Sequence, residues 1–215
     1  MRLYYMPGSC ALSCHIALEW AAADYEAVRL SHDDLRSDDF LAINPKAKVP
    51  ALELENGTVV TEALAILSHI AHAHEGADGL LPPPGVPRAR MLEALSELTG
   101  EFHPAFAPLH VPSRYTADED GHDAVKAAAR TRIRSHYDRW NERMDGRDWV
   151  LGDRSAVDPY LYVMCRWSGM IDAAITDWPA LARHAARVEE EKGTRAALEA
   201  EGLDPLAPNT ERRAA

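Results

Sequence analysis

Four prolines and three glycines fall within the twelve residues of GADGLLPPPGVP, Gly76 to Pro87, and no regular element crosses such a stretch. The chain is therefore read as two units with a break between them. Its 215 residues fill either one large domain or two small ones, and 47% hydrophobic against 27% charged residues is enough to bury a core.

On the N-terminal side the punctuation is frequent. LYYM reads as a strand, Ala11 to Trp20 as a helix, YEAVRL as a second strand, and Leu35 to Ile43 as a short helix that runs into NPKAKVP. ALELE and TVV flank Asn56-Gly57, a hairpin signal in which both turn positions take positive φ. A helix from Glu62 to about His74 follows. The order β-α-β-α-β-β-α needs a first strand pair that is parallel across a helix and a last pair that is antiparallel, which makes residues 1–75 a small mixed α/β domain and 76–87 a linker.

Beyond the linker the periodicity is purely helical. Apolar residues recur at three- and four-residue spacing over Arg88 to about His110, Asp123 to about Met144, Ser155 to Met170 and Pro179 to Glu191, with a shorter helix near Thr194 to Glu201. Residues 88–203 are thus expected as an all-helical domain, and 204–215, with two prolines and little periodicity, as a docked or frayed tail. Ser155-Ala156-Val157-Asp158 is a capping box, followed by Pro159 and the apolar face of Leu161, Tyr162, Cys165 and Trp167. Asp158 is read as a cap rather than a catalytic acid, and Cys165 as a small core residue.

A formal charge of −11, without a basic stripe to offset it, repels polyphosphate, so no nucleic-acid partner is expected. No apolar run approaches the roughly 20 residues of a membrane span, and MRLYYMPG lacks a signal-peptide core. The expectation is a cytoplasmic protein with no membrane partner. Three cysteines are too few for a disulfide framework, and a reducing compartment holds them as thiols.

Chemistry concentrates in MPGSCALSCHIAL. Pro7-Gly8-Ser9 turns the chain out of the first strand and leaves Cys10 at the start of a helix, where free N–H groups and the positive end of the dipole favour a thiolate. Cys10-Ala11-Leu12-Ser13 has the spacing of a C-x-x-C pair whose second thiol is a hydroxyl. Spacing alone leaves two readings of Cys10 open, a nucleophile and a turn cysteine without a role. Cys14, one helical turn on, is read as packing, because side chains at that spacing do not reach disulfide dihedrals without unwinding. His69 and His72 share a helix face, but a third ligand is missing there, and no metal site is expected. Neither a phosphate-binding glycine loop nor a serine-nucleophile elbow is present.

The β-α-β-α-β-β-α order, the turn cysteine of MPGSCALSCHIAL, the segments NPKAKVPAL and TVVTEALAIL, and an all-helical second half together resemble a cytosolic-type glutathione transferase, most closely the bacterial beta class. The resemblance spans about Met1 to Leu203. It implies a thioredoxin-like α/β N-terminal domain that binds glutathione and an all-α C-terminal domain that holds a hydrophobic co-substrate. It places Pro50 on the family's cis-proline and Val49 on the residue whose backbone pairs with the cysteinyl part of glutathione. Glu62 and Ala63 fall on the helix start that holds the γ-glutamyl end: a carboxylate suits its ammonium and free N–H groups suit its carboxylate. Many family members carry serine where Ala63 stands, which leaves that contact to the backbone. Lys48 is either an anchor for a ligand carboxylate or a solvated surface lysine.

In the second half, GEFHPAFAPL resembles the segment bearing the family's active-site histidine, so the resemblance sets His103 facing Cys10 across a cleft. Without it, His103 is a helix histidine before a Pro104 kink. Ser96 is placed loosely on the same face. Tyr4 and Tyr5 alternate in the first strand, one in the core and the other a candidate contributor to the cleft. Phe102, Phe106 and His110, with Tyr115 and Trp167, are the candidates for a co-substrate pocket. The implied function is conjugation of the glutathione thiol to small hydrophobic electrophiles, by a homodimer, with glutathione as co-substrate and no further cofactor. Thiol-disulfide exchange through a Cys10 mixed disulfide and a non-catalytic ligand-binding module are the alternatives.

Overall fold

The computed structural model describes residues 1–74 and 79–206. Strands β1 (Arg2–Tyr5), β2 (Glu26–Arg29), β3 (Ala51–Glu53) and β4 (Val59–Thr61) form one sheet in the order β2-β1-β3-β4. β1 and β2 run parallel and β3–β4 antiparallel, as the element order requires, and β3 also pairs antiparallel with β1. Helices α1 (Ala11–Trp20), α2 (Asp38–Ile43) and α3 (Ala63–Ala73) complete this half. Leu3, Tyr5 and Leu52 face the core shared with α1 and α3, while Tyr4 and Ala51 pack with Phe40 of α2. Both strand tyrosines are therefore buried, because both faces of β1 are covered, and neither reaches a cleft. The hairpin also differs from expectation: only Gly57 has positive φ, at 79°, and its N–H bonds to Leu54 at 2.9 Å. This is a tight turn followed by one left-handed residue, a longer connection than a two-residue loop.

The rest of the described chain is helical: α4 (Val86–Glu97), α5 (Ala107–His110), α6 (His122–Arg143), α7 (Asp158–Arg166), α8 (Pro179–Glu189) and α9 (Lys192–Glu201). Of the expected linker, 76–78 lie outside the described residues; α4 begins two residues early, at Val86 with Pro87 in its first turn, where a missing N–H costs nothing. The continuous helix expected to His110 is instead broken by a π-turn over Leu98–Phe102 and a 3₁₀ turn over His103–Phe106. Ser155 donates from its N–H and hydroxyl to the buried Asp158 carboxylate, which also accepts the Val150 N–H, so the capping box ties two segments together. Of the expected tail, 207–215 lie outside the described residues; the Leu206 N–H donates to Glu189 at 2.6 Å. No helix among the described residues is long and apolar enough to cross a membrane.

The two halves meet at α1. Nine of its ten residues are buried, against α3 on one side and α7 and α9 on the other. Cys14 is one of them, a core thiol. Gly193 lets α9 approach, since a Cβ there would stand 2.8 Å from the Trp20 ring. Nearby, Trp20 Nε1 donates to Thr194 at 3.0 Å. The carboxylate of Glu201 is fully buried: one oxygen lies 2.9 Å from His15 Nδ1 and the other accepts the Gly8 N–H at 2.9 Å. Removing one partner of a buried pair strands the other without water. Glu201→Ala is therefore expected to cost about 3 kcal/mol of stability, and Glu93→Ala, which breaks the exposed pair with Arg90, far less. Urea denaturation of Glu201→Ala and Glu93→Ala checks the difference.

Candidate functional site

The turn before α1 sets Cys10. Gly8 takes φ +70°, a conformation that favours glycine, and both of its peptide groups are held from the helical half: its N–H by Glu201 and its carbonyl by Trp167 Nε1 at 3.0 Å. Ser9 is used locally, its hydroxyl donating to the Met6 carbonyl, and faces no ligand space. Cys10 is the N-cap residue of α1, as expected, and its Sγ lies 3.7 Å from the Val49 carbonyl oxygen.

Here the sequence expectation fails in one respect. Burial pushes the Cys10 thiol up to about 12, and the helix-start N–H and Lys48, which pull the other way, do not offset it. The resting group is a thiol that donates toward Val49. The dipole argument is local, whereas the desolvation comes from the helical half folded over the turn.

Opposite the turn, a cleft of about 600 Å³ collects residues from both halves. From the α/β half come Cys10, Lys48, Val49, Pro50, Glu62 and Ala63, and from the helical half His103, Phe106 and His110. Val49-Pro50 is cis, and the adjoining strand β3 carries the pair to the edge of the cleft. Glu62 stands at φ +70°, a strained conformation for a non-glycine residue, immediately before α3, whose first N–H groups have no partner within the helix. Its exposed carboxylate meets Lys46 Nζ at 2.7 Å, and that bond holds it below the usual carboxylate range.

Phe102 does not reach the cleft. The π-turn rotates it into the helical core, where it stacks on His136 at 5.0 Å and meets Tyr137 edge-on at 4.9 Å. The same extra residue brings Thr99 to the cleft in place of Ser96. Tyr115 is 54% exposed and also lies outside it.

Lys46, Asn44, Tyr160 and Met170 line the cleft without having been singled out. NPKAKVP contains both lysines and the asparagine, so their neighbourhood was readable; Asn44 Nδ2 donates to the Lys48 carbonyl at 2.6 Å and shapes that loop. Tyr160 carries no local signal. Its hydroxyl is 2.7 Å from His103 Nδ1, its one hydrogen-bond partner among the described residues. A buried phenol needs an acceptor for its proton, so Nδ1 accepts and Nε2 of the neutral ring carries the hydrogen. Burial, with Lys48 adding to it, lowers His103 to about 4, so the ring stays neutral as pH falls until about that value. Trp167 meets the imidazole edge-on at 4.8 Å and fixes its plane. No group of three or more His, Cys, Asp or Glu among the described residues is arranged to hold a metal ion.

Residues 1–72 match the family model described as glutathione S-transferase, N-terminal domain. The chain is 31% identical over 207 residues to the glutathione S-transferase GstA of Escherichia coli O157:H7, covering 94% of this chain and all of that one. Among solved structures, a sphingomonad glutathione S-transferase complexed with glutathione is similar at TM-score 0.84 and 36% identity, over 95% of this chain and 100% of that one. A bacterial beta class glutathione S-transferase of Sphingomonas chungbukensis is similar at TM-score 0.85 and 33% identity, over the same shares of each chain.

The environment of Cys10 yields a measurement free of any substrate. Alkylation requires the thiolate, so a group with its pKa near 12 is expected to react with iodoacetamide far more slowly than a free cysteine at pH 8, its rate still climbing above pH 10. A rate that levels off below pH 8 contradicts the assignment.

Proposed function

The chain belongs to the glutathione S-transferase family, and on that ground we propose that the cleft between its two halves is where glutathione meets its co-substrate. The protein is a glutathione transferase, an enzyme that conjugates the thiol of glutathione to its substrates. The observation that carries the reading is the convergence on one cleft of the Val49-Pro50 edge, the α3 start and Cys10 from one half with His103, Phe106 and His110 from the other.

In this reading glutathione lies extended along Val49, whose backbone N–H and carbonyl pair with its cysteinyl unit. Its γ-glutamyl end reaches Glu62 and the N–H of Ala63: Glu62 takes the ammonium, and the helix start takes the carboxylate. Lys48 or Lys46 neutralises the other carboxylate. The glutathione sulfur then lies beside Cys10 and His103. Cys10, a thiol of pKa about 12, and His103, with hydrogen on Nε2, are both donors at neutral pH and stabilise a thiolate next to them. The attacking sulfur is that of glutathione, whose thiol gives its proton to solvent and attacks as the thiolate. Bond formation needs an electrophilic carbon within reach, held against Phe106, Trp167 and Met170, with the leaving group departing to solvent. The high thiol pKa counts against disulfide exchange through Cys10 as the main activity. The homodimer implied by the family resemblance belongs to the same reading, and a sedimentation mass of two chains is expected.

Cys10→Ala separates the two chemistries. Loss of one hydrogen-bond donor is expected to lower kcat/KM for conjugation of 1-chloro-2,4-dinitrobenzene by about tenfold; a fall beyond about a thousandfold would make Cys10 the nucleophile. Tyr160→Phe releases His103 to take the other tautomer. We expect a similar fall in kcat with KM for glutathione little changed, and a shift of the Nδ1 and Nε2 signals in ¹⁵N-histidine spectra. Unchanged spectra would remove Tyr160 from this role.

A further inference from the structure

Past the end of α4 the backbone changes its ladder. The Leu98 carbonyl accepts the His103 N–H, five residues ahead, and the same π spacing would next pair the Thr99 carbonyl with residue 104. Pro104 has no N–H to give, so the ladder stops there. A π-turn is an inserted residue within a helix, and such insertions recur at functional sites. Its effect here is an exchange: Phe102 enters the core, while Thr99, half-buried, lines the cleft.

The hydroxyl that arrives there is an acceptor. Thr99 Oγ1 spends its one proton on the Leu95 carbonyl at 2.8 Å, and no described residue donates to its lone pairs. An oxygen in that state is satisfied by water or by a donor on a ligand. The other polar side chains of the cleft are differently committed. Tyr160 donates to His103 Nδ1, which leaves the His103 Nε2–H as a donor, and His110 is exposed. Cys10 and the two lysines are donors, Asn44 is spent within its own loop, and the Glu62 carboxylate is held by Lys46. On the buried part of the helical side, the spare side-chain acceptor is therefore at Thr99.

We propose, on the reading of this cleft as the place where glutathione meets its co-substrate, that Thr99 determines specificity: it selects electrophiles that carry a hydroxyl or amide N–H on their apolar body, away from the reacting carbon. Thr99 and His103 lie four residues apart and both line the cleft, so the acceptor stands about 5 Å along the helix axis from the imidazole. With the reacting carbon at the sulfur, a donor at the far end of an aromatic ring reaches that interval, and one next to the reacting carbon falls short of it. Phe106, Ala107 and Val111 supply apolar wall for the ring. An electrophile without the donor takes water from the Thr99 oxygen and returns nothing. Because Thr99 is only half-buried, the resulting discrimination is about fivefold, far below that of a fully enclosed polar site.

Titration calorimetry on the full chain tests this with two conjugates, S-(4-hydroxymethylbenzyl)glutathione and S-(4-methoxymethylbenzyl)glutathione, the second having the oxygen without the proton. The readout is the ratio of their dissociation constants. Thr99→Val keeps the shape of the side chain and removes its oxygen, and is expected to shift that ratio about fivefold against the hydroxymethyl compound. Thr99→Ser keeps the oxygen and is expected to hold the wild-type ratio. A purely structural role for Thr99 weakens both conjugates together and leaves the ratio where it was. A ratio unmoved by Thr99→Val, or moved as far by Thr99→Ser, overturns the proposal. Failure of the cleft reading shows separately, since the wild-type chain then binds neither conjugate nor glutathione itself, and that result overturns both.

Discussion

The structure depends on one buried carboxylate. Glu201, at the end of the last described helix, sits without water beneath the first turn of the chain, and a lone ion there would cost several kcal/mol. It is tolerable only because His15 Nδ1 and the Gly8 N–H both point at it. Those two partners lie on either side of Cys10. Satisfying Glu201 therefore fixes the turn and the helix that follows it in one step, and ties α9 to α1 across the two halves. The bond from Trp167 to the Gly8 carbonyl completes the arrangement from α7's end. The turn that leads into Cys10 is shaped by the last described helix, a separation in sequence of 193 residues.

This distance also explains what could and could not be read from the sequence. Elements whose signals are local were legible: the order of strands and helices along the first half and the capping box at Ser155 both follow from turn chemistry and periodicity within a dozen residues. The candidate positions carried by motifs, Cys10, Val49-Pro50, Glu62, Ala63 and His103, line one cleft. Contacts decided by long-range packing were not legible. Tyr160 looks like any apolar position of α7 until His103 is seen against it, and nothing near Glu201 announces that it faces inward. Phe102 shows a subtler failure. Its spacing was projected along a regular helix, and one π-turn was enough to rotate it into the core and to turn Thr99 outward in place of Ser96.

The Cys10 environment raises a conflict that the cleft must resolve. A space lined by Phe106, Trp167 and Met170 suits an apolar electrophile, yet the same low polarity opposes any thiolate formed inside it. Burial raises the Cys10 thiol in the same way, against the pull of the helix start and Lys48. On the proposed reading, an incoming glutathione thiol meets the same penalty unless groups in the cleft donate to its anion. A cysteine ionised at neutral pH could not do so from position 10, because two thiolates side by side repel. A cysteine kept protonated by burial can, and so can an imidazole whose Nδ1 is occupied by Tyr160 and whose pKa near 4 removes it as a proton acceptor. On the proposed reading, the desolvation that counts against Cys10 as the nucleophile is what equips it to support one.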